Sequence, residues 1–169
     1  MDHQPGRSCV VFTLNEDQYA LDIEHVIEIT SVKQQTVLPE MPPHLLGLFH
    51  FRGQAVPLID LKTRLGLPPA TATKGDTSEQ RIVIIDDSSK WTGLIVDAIH
   101  KVVELREDSL LERNGLESAQ LEAIDGIYRL GEDEVLLLNY TALIDRKKEI
   151  HLADWKKTID THRACSESR

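Results

Sequence analysis

One pattern of short apolar segments occurs twice in this chain, and this duplication constrains the fold more than any other feature. Three segments of the first half match three segments of the second half in the same order: 9–14 with 81–86, 19–23 with 91–97, and 26–29 with 102–105. A later block is also repeated, with 46–49 and 56–61 matched by 125–128 and 135–140. Two copies with a drifting spacing indicate a duplicated small domain, because a solenoid repeats more often and more tightly.

The first hairpin of each copy is the clearest local prediction. Segment 10–14 shows the period-two alternation of a strand, and the polar residues 15–17 predict a turn to a second strand at 19–23. Segment 26–29 is too short to assign, and both a strand and one helical turn stay open. The start of each copy is therefore expected to be a β-hairpin followed by a short element.

A second hairpin is expected further along each copy. In the first copy, 49–52 and 55–61 are predicted strands, and Gly53 and Gln54 are the two-residue loop between them. In the second copy, the corresponding hairpin is expected over 127–139. A short helix that begins with proline is expected over 42–48, just before the first of these hairpins.

The duplication also sets the expected domain plan. Each copy offers about five short strands, and strands at this spacing with turn signals are typical of small barrels. We predict one mostly β domain over 8–161 with these parts: copy one at about 8–67, a linker rich in Pro, Ala, Thr, Gly and Ser at 68–80, copy two at about 81–144, a C-terminal helix at about 141–161, and then a frayed tail at 162–169.

Composition and charge exclude several classes of function. The 28 acidic residues outnumber the 19 basic ones, and a formal net charge of −9 opposes binding to nucleic acid. The first residues lack an apolar signal core, and no segment reaches the ~18 apolar residues of a membrane span. Cys9 and Cys165 have neither metal-binding nor redox spacing, so two reduced thiols are expected. A cytoplasmic protein without membrane insertion is predicted.

No motif for catalysis, cofactor binding or metal binding is found. The sequence has no Gly-rich phosphate loop, no His-Glu-x-x-His and no Gly-x-Ser-x-Gly, and its seven histidines lack ligand spacing. One alternative of another class is a Mg²⁺-dependent phospho-acceptor or small-ligand-binding protein that uses Asp86, Asp87 and Asp97. A turn is favoured at 86–89, because no later buried strands end in the further Asp and Lys that a receiver domain needs.

The two copies differ most in the polar residues of the second hairpin. Only the first copy has Gly47 followed by Arg52 and Gly53, and the matching turn at 131–133 has no arginine before its glycine. A polar residue present in one copy is not required by the fold that both copies share, so function is expected here. Glu28 is the natural partner of Arg52, and the two side chains are predicted to form an ion pair.

At this block the chain resembles a known family. Segment 47–61, followed by Arg64, Leu65, Gly66 and Leu67, is similar to the signature of the CheW family, the coupling proteins of bacterial chemosensory arrays. The similarity extends over about 9–144 and includes 19–23 and 93–97. The resemblance implies two SH3-like five-stranded β-barrel subdomains that share a core, with short helices and a C-terminal helix.

The resemblance also implies a function and a set of partners. It implies a non-enzymatic adaptor that binds the cytoplasmic tip of a chemoreceptor and the regulatory domain of the CheA histidine kinase. Separately, we expect the protein to be a monomer in isolation. By residue matching, the receptor-binding residues are Val26, Glu28, Gly47, Arg52 and Gly53. A scaffold of a pilus-motility or surface-sensing pathway is the alternative with the same fold.

Two segments depart from the family pattern. His50 and Phe51 stand where the family more often has an asparagine and an aliphatic residue, which bears on receptor choice. The loop at 113–118 lacks the prolines that are usual there. In the family this loop helps to build a second kinase contact, so its departure bears on ring assembly.

Overall fold

The computed structural model describes residues 6–32, 36–37, 39–40, 43–67, 80–87, 90–113 and 123–145. The strands within these ranges are β1 (Arg7–Leu14), β2 (Asp17–Asp22), β3 (Val26–Ser31), β4 (Leu45–Phe51), β5 (Gln54–Asp60), β6 (Arg81–Asp87), β7 (Lys90–Val96), β8 (Ala98–Leu105), β9 (Leu110–Arg113), β10 (Ile124–Leu130) and β11 (Asp133–Leu138). The helices are α1 (Leu61–Arg64), α2 (Tyr140–Ile144) and the 3₁₀ helices Ile23–His25 and Glu107–Ser109. None of the described helices has the length and hydropathy needed to cross a bilayer.

The strands form two sheets, and each sheet contains strands from both sequence copies. The six-stranded sheet has the order β8-β1-β2-β11-β10-β9, and the five-stranded sheet has the order β3-β6-β7-β5-β4. The first hairpin of each copy therefore pairs with the later strands of the other copy. The prediction from the sequence had instead placed all strands of one copy in a barrel of their own. Sequence alternation does not distinguish the two arrangements, because the equivalent strands have the same apolar pattern.

Five strands of the six-stranded sheet match the five-stranded sheet in order, with β9 as the extra strand, and this match fixes the correspondence between the copies. Val11 pairs with Ala20 in one sheet, and Ile84 pairs with Gly93 in the other. Val11 therefore corresponds to Ile84, whereas matching 9–14 with 81–86 had paired it with Val83, one residue away. This difference matters because a shift of one residue moves a side chain to the opposite face of a strand.

Apolar side chains of the described residues pack in three clusters, which cover both faces of each sheet. One cluster is formed only by side chains of the six-stranded sheet, and another only by side chains of the five-stranded sheet. The largest lies between the sheets and receives side chains from both of them and from both α-helices: among others Phe12, Tyr19, Leu61, Val83, Leu94, Leu136 and Leu143. The predicted mostly β fold with a shared core is confirmed.

Several local predictions differ from the structure. The helix expected over 42–48 is wrong, because β4 already begins at Leu45 and pairs with β5 across a bulge between Leu45 and Gly47. Strand pairing and burial here outweigh the helix-start signal of the prolines. The loop of this hairpin consists of Arg52 and Gly53, one residue earlier than predicted. The unassigned segment 26–29 is part of β3.

Other predictions are confirmed or fall outside the described residues. The first hairpin turns at Asn15 and Glu16, as expected from the polar residues there. Helix α2 covers only the start of the helix predicted over 141–161, because it ends at Ile144 and the backbone of Asp145 is extended. The linker at 68–79, the loop at 114–118, residues 146–161 and the tail at 162–169 lie outside the described residues.

Candidate functional site

The turn between β4 and β5 has an unusual backbone. Arg52 has φ 49° and Gly53 has φ 77°, the pair of positive values that a type I′ hairpin turn requires. Glycine adopts this conformation freely, whereas a residue with a Cβ is destabilised there by about 1–2 kcal/mol. In the second copy the position of Arg52 is occupied by Gly131, with φ 65°. The first copy thus holds an arginine at a positive-φ position where its counterpart has a glycine.

Arg52 forms the predicted ion pair with Glu28. Its Nη2 lies 2.7 Å from Glu28 Oε1, and the two side chains are 57% and 38% exposed. Because β3 and β4 are the two edge strands of the five-stranded sheet, this contact joins opposite edges of that sheet. An ion pair with this exposure stabilises a protein by about 0.2–1 kcal/mol. The prediction of the contact is confirmed, and its contribution to stability is small.

The Arg52 side chain packs on the ring of Phe51, which in turn packs against the ring of Trp91. The guanidinium carbon of Arg52 lies 4.9 Å from the ring centroid of Phe51. The Phe51 ring is in turn 5.8 Å from that of Trp91 on β7, tilted by 59°. Phe51 and its neighbour His50 are the residues expected to depart from the pattern of the resembled family, and the ring of Phe51 lies against the arginine. Trp91 was missed by sequence reasoning, because only the three-dimensional pairing of β7 brings it to this hairpin.

The other predicted site residues occupy different surroundings. Because of a bulge in β3, Val26 pairs with Ile85 and Glu28 with Ile84, so the two side chains lie on opposite faces of the strand. Val26 packs against the shared core, and Gly47 is buried within β4. The structure therefore groups three of the five predicted residues: Glu28, Arg52 and Gly53.

The balance of energies at Arg52 argues against a purely structural role. The left-handed backbone costs about 1–2 kcal/mol relative to glycine. The exposed ion pair contributes about 0.2–1 kcal/mol and the contact with the Phe51 ring about 0.5–1 kcal/mol. These contributions nearly cancel the cost, so arginine gives no clear gain in stability over the glycine of the second copy. Strained, exposed residues of this kind cluster at functional sites.

The carboxylates of the alternative Mg²⁺ site do not come together. Asp86 and Asp97 lie near opposite ends of the β6–β7 hairpin, about 20 Å apart along the strands. Both carboxylate oxygens of Asp97 already have partners within the protein. Its Oδ2 accepts a hydrogen bond from Asn15 N at 2.7 Å, and its Oδ1 forms an ion pair with Lys62 Nζ at 2.9 Å. In the described part of the chain, no group of three or more His, Cys, Asp or Glu residues is arranged to hold a metal.

Cys9 has no nucleophilic character in the folded protein. The residue is fully buried inside the six-stranded sheet. Burial raises the pKa of the Cys9 thiol to about 12, with a further increase from Asp22 and a decrease from Arg7. The thiolate, which is the reactive form, is therefore scarcely populated at neutral pH.

Comparison with known proteins gives a consistent result. The CheW-like domain family matches residues 8–148. The chain is 30% identical to the chemotaxis protein CheW of Treponema pallidum over 146 residues, which is 86% of each protein. It is also 30% identical to the chemotaxis protein CheW of Bacillus subtilis over 145 residues, which is 84% of this chain and 89% of the relative.

A solved structure extends this likeness to three dimensions. The crystal structure of the scaffolding protein TtCheW from Thermoanaerobacter tengcongensis matches with a TM-score of 0.73 at 30% sequence identity. The match covers 86% of this chain and 97% of that protein. The predicted fold of two SH3-like subdomains that share a core is thereby confirmed.

Proposed function

Since the chain belongs to the CheW-like domain family, we propose that it is a non-enzymatic adaptor in a cytoplasmic chemosensory array. In this role it binds the cytoplasmic tip of a chemoreceptor on one surface and the regulatory domain of the CheA histidine kinase on another. The chemotaxis relatives and the scaffolding protein of the same fold support the scaffold role. The individual partners are proposed from the family resemblance.

The observation that carries the receptor assignment is the conformation of Arg52. An exposed arginine in a strained turn, paired with Glu28 and supported by Phe51, presents a fixed cation at the surface. A receptor tip is a helical hairpin, and helices are bound by apolar surfaces in which a few polar groups fix the register. Arginine anchors of this kind commonly contribute ~2 kcal/mol or more to an interface, which is about thirtyfold in affinity.

The test compares two exposed arginines in pull-downs with a receptor-tip fragment and with the kinase regulatory domain. Arg52→Ala is expected to reduce receptor binding by about thirtyfold and to leave kinase binding within about twofold. Arg129→Ala on β10 is the matched control, because Arg129 is an exposed arginine in the second copy. Circular dichroism establishes that both variants are folded. Loss of receptor binding in both variants, or in neither, contradicts the assignment.

Gly47→Trp is a second variant proposed for the receptor surface. Because Gly47 is buried within β4, an indole at this position also disturbs the packing of the sheet. Arg52→Ala is therefore the cleaner test. Gly47→Trp is informative only if the variant unfolds at the same urea concentration as the wild type.

A scaffold of a pilus-motility or surface-sensing pathway is the second candidate. The observation that favours it is the aromatic ring of Phe51 under Arg52, at a position where the family more often has an aliphatic residue. Receptor-tip fragments from flagellar and pilus-linked systems, tested side by side, separate the two pathways. Phe51→Leu should shift the preference between the fragments if this ring contributes to receptor choice.

A further inference from the structure

One buried arginine of the first copy holds the described helix of the second copy. Arg64, on α1, is only 6% exposed. Its Nε donates to Leu143 O at 2.8 Å, and its Nη2 donates to Ala142 O at 3.0 Å and to Asp145 O at 2.6 Å. The last carbonyls of a helix have no partner within the helix, and a cation there also suits the helix dipole. Arg64 therefore supplies the C-terminal cap of α2.

The other end of α2 contacts the segment that leads into β3. Tyr140, the first residue of α2, packs its ring against His25 with centroids 3.8 Å apart and planes 30° apart. His25 ends the 3₁₀ helix Ile23–His25, which has no buried residue of its own. Val26 follows immediately and begins β3, the strand that carries Glu28. The contact with Tyr140 therefore lies directly before this strand, next to Val26, which itself packs against the shared core.

Arg64 is also a residue of one copy only. Helix α1 follows Asp60 at the end of β5, and α2 follows Asn139 at the end of β11, so Arg64 corresponds to Leu143. The contact is therefore not reciprocal. The arginine of α1 binds the carbonyls of α2, whereas α2 contains no arginine that could bind the carbonyls of α1. Like Arg52, Arg64 is a polar residue that the shared fold does not require.

We propose that Arg64 is a positioning residue for the Glu28–Arg52 surface, and that it acts through α2 and the Tyr140–His25 contact. This proposal rests on the proposed function, since it concerns the same surface. Arg64 fixes the end of α2, α2 places the Tyr140 ring on His25, and His25 sets where β3 begins. The planar fork of arginine reaches three carbonyls at once, which the single ammonium of lysine does not do.

The test uses Arg64→Lys, which keeps the charge and loses the fork. In the free protein, amide hydrogen exchange in α2 and in residues 23–28 should become about tenfold faster, while exchange in the β4–β5 hairpin stays unchanged. The ring protons of His25 should lose the upfield NMR shift caused by the Tyr140 ring. Receptor-fragment binding should weaken by about tenfold, with kinase binding unchanged.

Two variants of Tyr140 provide matched controls. Tyr140→Phe keeps the ring and should behave as wild type in exchange, NMR and binding. Tyr140→Leu removes the ring and should reproduce the effect of Arg64→Lys on residues 23–28 while leaving the contacts of Arg64 in place. This second variant also tests the proposal if Arg64→Lys does not fold.

Two results would overturn the proposal. Faster exchange throughout both sheets in Arg64→Lys would show that the residue serves general stability only. Faster amide exchange in α2 without faster exchange at residues 23–28 would show that α2 does not hold the start of β3 in place. The exchange measurements need no partner, so they are independent of the proposed function. If Arg52→Ala retains full receptor binding while Arg64→Lys still loosens residues 23–28, the receptor assignment fails and the structural link remains.

Discussion

Arg52 and Gly131 occupy the same turn position in the two copies, so a substitution of Arg52 can test its proposed binding role separately from its contribution to stability. Asn-Gly is the sequence best suited to a type I′ turn, because asparagine tolerates positive φ. Arg52→Asn should therefore leave the free energy of unfolding unchanged within ~1 kcal/mol, or increase it, while receptor binding falls as in Arg52→Ala. Urea denaturation and a receptor pull-down on the same preparation measure both quantities. A clear loss of stability in this variant would mean that the ion pair with Glu28 outweighs the backbone strain.

The comparison of the two copies that selected Arg52 is not specific. The rule that a polar residue found in one copy is functional also selects Arg64, which caps α2 from a buried position. Exposure distinguishes the two residues, and exposure was not readable from the sequence. The Glu28–Arg52 contact was predictable because the family pattern gave both residues. Trp91 was not assigned to the site, since only strand pairing brings it to Phe51.

The pKa of Cys9 gives a dependence of stability on pH. The thiol has an ordinary pKa of 9.0, and burial raises the pKa of folded Cys9 to about 12. Between these pH values the unfolded chain releases the proton and the folded chain keeps it, so rising pH favours unfolding. The contribution of the buried Cys9 thiol to the free energy of unfolding is fully present below about pH 9 and is lost towards pH 12. Urea midpoints from pH 8 upward should therefore fall more steeply for wild type than for Cys9→Ala, and equal slopes would contradict the raised pKa.

At the scale of the elements, the predictions succeeded where a local signal was sufficient. The turn at Asn15 and Glu16 is marked by polar residues between two alternating segments, and the hairpin forms there. The helix expected before the second hairpin failed, because a bulge between Leu45 and Gly47 lets an apolar run join a sheet instead. Bulges depend on the partner strand, so a single segment does not reveal them.

The interior of the five-stranded sheet depends on a glycine that leaves no free space. A Cβ on Gly93 would lie 2.8 Å from Phe49 Cε1 and 2.9 Å from Ile82 Cγ2. Gly93→Ala should therefore destabilise the protein by about 1–3 kcal/mol through crowding of the core. Gly53→Ala is the matched comparison, because its Cβ would meet nothing within 4 Å and only the positive φ opposes it. Equal stability of Gly93→Ala and wild type by thermal denaturation would show that the interior of the five-stranded sheet can expand.

At the scale of the whole molecule, the duplication predicted the number of subdomains but not which strands belong to each. The shared core was expected, and it collects side chains from both sheets. The pairing of β2 with β11 and of β7 with β5 was not expected, since these strands come from different copies. The two copies have interchangeable strand patterns, so pairing within a copy and pairing between copies bury similar apolar area. Only the three-dimensional structure distinguishes pairing within a copy from pairing between copies.

This exchange of strands makes a prediction about the separated copies. Residues 1–67 and 80–169, expressed as two chains, should each be unfolded, because each lacks strands of both sheets and exposes both faces of those that remain. Mixed at equal concentrations, the two chains should regain the strand content of the intact protein and unfold cooperatively, since the contacts between copies need no covalent link. Circular dichroism and the dispersion of amide NMR signals measure both states. Well-dispersed spectra from either chain alone would show that one copy can form a complete subdomain, and the exchanged pairing would then not be required for folding.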